Sequence, residues 1–149
     1  MTAMNAVLPS CLQIVCCRSV DDTFPALMSL VSGADYRITF AKNAESCKAA
    51  EKFDEFMGLK EYVTQRRTKS GENPCDIRPF VLEGTCKETE AGYVIELKTA
   101  ALKAGMLKPA LWLESLCEFA DCSEFDSLIY RTAILAKAAD GSLVPMEAL

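Results

Sequence analysis

The chain has 149 residues, half of them hydrophobic and a quarter charged, a balance that excludes a disordered polymer and suits one globular domain. It contains no histidine, which excludes His-based triads, His general bases and His metal ligands. The net charge of −5 argues against a dominant basic nucleic-acid surface.

In chain order, Met4 to Leu8 reads as the end of a helix stopped by Pro9. Leu12 to Val20, rich in β-branched and small apolar residues, predicts a strand. Asp21 and Asp22 mark a turn, with Asp22 or Thr23 as N-cap of a short helix carrying Phe24, Leu27, Met28, Leu30 and Val31. Gly33 would close that helix as its C-cap. Residues 34–41 alternate, with Tyr36, Ile38 and Phe40 on one face, and predict a half-buried strand. Asn43 can cap a helix from Ala44 to Met57 that stops at Gly58.

Residues 61–68 are strand-like, and the KSGENP segment predicts a turn. Residues 76–88 restart an extended segment, in which Pro79 demands an edge or a bulge. Glu90, Ala91 and Gly92 predict a tight hairpin into a strand from Tyr93. Pro109 suits the first turn of a helix over Ala110 to Phe119, and residues 126–135 predict a last strand. The order β-α-β-α-β-β-β-α-β predicts an α+β fold with a largely antiparallel sheet and helices on one face. Residues 1–149 form a single domain, with 137–149 a weakly ordered tail.

The eight cysteines, Cys11, Cys16, Cys17, Cys47, Cys75, Cys86, Cys117 and Cys122, include no C-x-x-C pair. The spacing indicates reduced thiols that mostly pack, with no metal site and no cofactor. Cys16 and Cys17 would point to opposite faces of a strand, one to the core and one outward. Cys117 and Cys122 flank a helix end. The N-terminus shows neither a secretory signal nor an apolar run long enough to span a membrane, so the expectation is a cytoplasmic protein with no membrane partner.

Four cations gather around the predicted turn: Arg66, Arg67, Lys69 and Arg78. Arginine forks suit phosphate, so these residues are candidate anion or RNA contacts; otherwise they pair with Asp76, Glu72 or Glu61. Asp76 and Arg78 share a strand face and form the one catalytic candidate, an Asp nucleophile or base steered by Arg. The bland alternative has Asp76 accepting from turn amides while Arg78 reaches a neighbouring strand. Arg131, in an apolar strand, is a further candidate anion contact, and if buried it needs Asp35, Asp76 or Glu96 as partner.

LPSCLQIVCCRSV, LMSLVSGADYRITF, RRTKSGENPCDIRPFV, Lys108-Pro109 and Ile129-Tyr130-Arg131-Thr132 together resemble the radical-SAM-linked domain of unknown function, which is fused to or encoded beside B12-binding-type radical SAM proteins. The resemblance runs from about Asn5 to Leu135. It implies an N-terminal ferredoxin-like portion preceding the part matched, so the chain would be about two-thirds of the family's domain. The family's glycine-rich approach to the last helix is replaced here by AALKAGMLKP, which leaves only Gly105 for close ligand approach. The resemblance implies an accessory domain partnered by a radical SAM protein. The family's gene neighbourhoods tilt the substrate toward RNA. Three readings follow: an accessory domain contacting the partner protein or RNA; an RNA-modifying, pseudouridine-synthase-like enzyme using Asp76; and an interaction fragment that self-associates through an uncovered sheet edge.

Overall fold

The computed structural model describes residues 2–68, 71–103 and 105–148. After a single helical turn, α1 (Thr2–Asn5), the chain runs without helix or strand to a second short turn, α2 (Leu27–Leu30). Strand β1 (Val31–Phe40) leads into helix α3 (Ala44–Met57). A two-stranded ribbon follows, β2 (Val63–Thr68) with β3 (Gly71–Asp76). A 3-10 turn (Arg78–Phe80) opens β4 (Val81–Thr89), which hairpins into β5 (Gly92–Leu102). The short β6 (Gly105–Met106) precedes helix α4 (Pro109–Phe119), then β7 (Ser127–Lys137), β8 (Leu143–Pro145) and a final 3-10 turn (Met146–Ala148).

The main sheet is antiparallel in the order β4-β5-β1-β7-β8, with β6 added to β5. Its four long strands and two long helices trace β-α-β-β-α-β, the split βαβ arrangement. Tyr36, Ile38 and Phe40 of β1 and Tyr93, Ile95 and Leu97 of β5 are buried with Phe53 and Phe56 of α3 and Trp112 and Leu116 of α4. Both helices thus cover one face. The opposite face carries Arg37 bonded to Glu96 at 2.7 Å and Lys98 facing Glu83 at 3.4 Å. The fold is α+β, as the element pattern predicts.

Locally encoded elements form where expected. Asn43 Oδ1 accepts from the Ser46 amide at 2.8 Å, and Ser46 Oγ accepts from the Asn43 amide at 2.8 Å, a reciprocal cap that starts α3. Glu90 and Ala91 are the two residues between the paired Thr89 and Gly92. Pro109 stands in the first turn of α4.

Several expectations are corrected. Residues 12–20 form no strand, because a strand needs a neighbour to accept its backbone bonds and none lies beside them. Cys16 and Cys17 are consequently both exposed. The predicted helix from Phe24 shrinks to Leu27–Leu30: it lacks a side-chain cap and buries nothing. Gly33 is no C-cap but a buried residue inside β1, paired with Ala100 and Leu135. The ladder of the ribbon includes Gly71 to Pro74, so most of the predicted turn is strand. Pro79 lies in the 3-10 turn and not in a strand. The segment beyond Lys137, predicted to be weakly ordered, contains β8, which pairs with β7 through Leu143, Val144 and Pro145. No helix among the described residues is long and apolar enough to cross a membrane.

Candidate functional site

The ribbon β2–β3 carries the residues on which the sequence reading concentrated. Asp76 ends β3, and its Oδ1 accepts from the amides of Tyr62 at 2.9 Å and Arg78 at 3.0 Å. Tyr62 also donates its hydroxyl to Glu118 of α4 at 3.1 Å. Burial, reinforced by the Glu118 carboxylate, pushes that phenol up to about 12. Asp76 and Tyr62 therefore anchor the base of the ribbon to the helical layer.

Arg78 points to the end of α3. Its Nε donates to Leu59 O at 2.9 Å, Nη1 to Val81 O at 2.7 Å and Nη2 to Met57 O at 3.0 Å. The last carbonyls of a helix lack intrahelical donors and carry partial negative charge. A guanidinium there satisfies both needs and ties α3 to the start of β4. The pairing of Arg78 with a strand carboxylate or phosphate is replaced by this carbonyl cradle.

Arg66 lies over the Phe80 ring, 5.6 Å from its centroid, and donates from Nη2 to Met106 O at 2.9 Å. That bond joins the ribbon to β6. Arg67 is exposed and pairs in register with Glu72 across the ribbon. Lys69 lies outside the described residues. Arg131 sits in β7 in register with Tyr36. It is exposed, so the expected buried pairing with Asp35, Asp76 or Glu96 does not arise: Glu96 bonds Arg37, and Asp76 bonds amides. The four candidate cations among the described residues are thus held in different ways. Arg66 and Arg78 are engaged by main-chain carbonyls, and Arg131 stands on a different strand.

Two features escaped the sequence reading. Exposed Lys103 and Lys108 flank the Met106 carbonyl that receives Arg66. Their signal was the lysine spacing in AALKAGMLKP. The second is the first 28 residues, which hold eight of the thirteen large hydrophobic side chains exposed among the described residues. Val15 is 88% exposed and Met28 84%. The β-branched run there is visible in the sequence, but strand chemistry alone does not show whether a neighbouring strand exists to pair with it.

The uncovered face of the sheet holds a shallow depression of about 250 Å³ lined by Asp35, Glu83, Thr85, Glu96, Lys98 and Thr132, among others. Asp35 Oδ1 is buried there without a hydrogen-bond partner. Burial raises the Asp35 carboxyl above the ordinary value; Lys98 pulls it down, and Glu83 and Glu96 push it further up. A raised carboxyl binds protons better folded than unfolded, so its charged form costs stability at neutral pH and that cost disappears in acid. Asp35→Asn is expected to raise the urea midpoint at pH 7, with the gain fading as pH falls from the raised value through the ordinary carboxylate range and absent below it. A midpoint that does not move at pH 7 would show that solvent reaches this carboxylate.

No group of three metal-ligating side chains occurs among the described residues. Comparison with curated proteins and with solved structures finds no match. Residues 1–109 match the family described as an uncharacterized protein conserved in bacteria (DUF2344), and since this is well over half of the chain, the chain belongs to that family.

Proposed function

We propose that this chain is an accessory binding domain, without catalysis of its own, that docks on a partner protein in the cytoplasm. The resemblance of its motifs supplies the partner's class, a B12-binding-type radical SAM protein. The observation that carries the reading is the N-terminal arm, residues 6–26, which adds no strand or helix to the domain. Along it Val7, Leu12, Val15, Val20 and Phe24 are exposed. Exposed apolar side chains in this density favour a protein contact. The enzyme reading is weakened by the site itself. Two amides bond Asp76 Oδ1 and three carbonyls hold the Arg78 guanidinium, which speaks against Arg78 steering Asp76 as a nucleophile.

The test mixes the full chain with the radical SAM protein of the same genome and follows the elution volume. Co-elution is expected, with affinity falling at least about tenfold for Val20→Asp combined with Phe24→Asp. Unchanged affinity in that variant overturns the role of the arm, and separate elution overturns the partner. A second reading rests on Arg67, Lys103 and Lys108, exposed around the Arg66–Met106 junction. If they contact RNA, a labelled 20-nucleotide RNA should bind more weakly as salt rises, and Arg67→Ala should flatten that slope.

A further inference from the structure

Helix α4 ends in a Schellman motif. The Cys122 amide donates to Cys117 O at 3.0 Å and the Asp121 amide to Glu118 O at 3.2 Å. Asp121 takes the left-handed conformation, φ 49°, that the motif requires one residue beyond the cap. This motif brings the side chains four residues before and one residue after its left-handed position into contact across the helix end, ordinarily as an apolar pair. Here the two positions are Cys117 and Cys122, which the backbone turn therefore sets side by side. Cys117 is buried and Cys122 half-buried. The loop they bracket is held further by the Ser123 amide, which donates to Glu45 Oε2 of α3 at 2.8 Å.

We infer that Cys117 and Cys122 are an oxidation site that closes into a disulfide clasp over the end of α4 when the protein meets a hydroperoxide. Cys122, the more accessible sulfur, attacks the peroxide oxygen. The O–O bond breaks, an S–O bond forms, and water or an alcohol leaves; the sulfur is oxidised to a sulfenic acid and the peroxide is reduced. Cys117 sulfur then attacks the Cys122 sulfur. The S–S bond forms, the S–O bond breaks, and hydroxide departs with the Cys117 proton as water. Burial and the neighbouring Cys122 push the Cys117 thiol up to about 12, so the first attack falls to Cys122, and Cys117 gives up its proton only as the hydroxide of the sulfenic acid departs. Of the other cysteines, Cys11, Cys16 and Cys17 are exposed on the arm, and Cys47 accepts from the Tyr93 hydroxyl at 3.4 Å.

The experiment treats the full chain with one equivalent of hydrogen peroxide, blocks remaining thiols by alkylation and maps the products by trypsin and mass spectrometry. Residues 104–131 form one tryptic peptide containing only these two cysteines. Most of it should run about 2 Da lighter than the reduced, unalkylated peptide, two hydrogens having been lost. Dithiothreitol should restore both thiols, and Cys122→Ser should abolish the change. Exchange of the amides at 120–123 should slow about tenfold in the oxidised chain. Two alkylated cysteines in that peptide while the arm cysteines are oxidised would overturn the inference, as would cross-links from Cys117 or Cys122 to any other cysteine.

Discussion

Arg78→Ala is expected to destabilise the chain by about 3 kcal/mol, read as a lower urea midpoint at unchanged slope. Bonds from a charged donor contribute roughly 1.5–3 kcal/mol each, and they do not sum when they share one side chain. Truncation leaves the carbonyls of Met57, Leu59 and Val81 without their donor, and the end of α3 loses its cation. Arg78→Lys should recover only part of the loss, because one ammonium cannot reproduce three divergent bonds held by a planar fork. If Arg78 instead served an external anion, Arg78→Ala would weaken binding and leave the midpoint within about 0.5 kcal/mol of the parent.

Gly33→Ala should cost at least as much, about 3 kcal/mol, and reduce the yield of folded protein. A Cβ at Gly33 would stand 2.3 Å from the Thr99 carbonyl oxygen and 3.4 Å from its carbon. The obstacle is main chain in the neighbouring strand, so no side chain can rotate aside. Relief requires β1 and β5 to part, where Thr99 Oγ1 also donates to Ala34 O at 3.1 Å. The penalty is a large share of the 5–15 kcal/mol that typically holds a domain together. Circular dichroism with a thermal melt would decide it: a melt equal to the parent's would mean that the strands separate there at little cost.

Gly33 also shows why sequence reading fails where it does. A glycine after a short apolar run carries the local mark of a helix end. Its actual cause is a contact with Thr99, sixty-six residues away, which no local pattern announces. The same division runs through the chain. Asn43 with Ser46 and Pro109 encode helix starts within one turn, and Glu90-Ala91 encodes a hairpin within two residues, so these elements were legible. Leu12 to Val20 has strand chemistry, but a strand exists only where another backbone completes it. At the candidate site, the bonding of Asp76 to nearby amides was legible, since its partners lie at Tyr62 and Arg78 around one ribbon. The carbonyl cradle of Arg78 was not, because it depends on where α3 ends relative to β4. The exposure of Arg131 was not legible, because its apolar neighbours on β7 suggest burial, whereas Leu128 and residues 130–132 of that strand are all exposed.

Trp112 is the sole tryptophan of the chain. It is 1% exposed and meets Phe53 and Phe56 edge-on, with ring centroids 6.0 and 5.8 Å away. The molecule thereby carries one optical reporter, lodged where its two helices meet. Its emission will follow the opening of that seam and will be blind to events on the arm. Fluorescence can therefore time the loss of the core separately from the seating of a partner, with no label added.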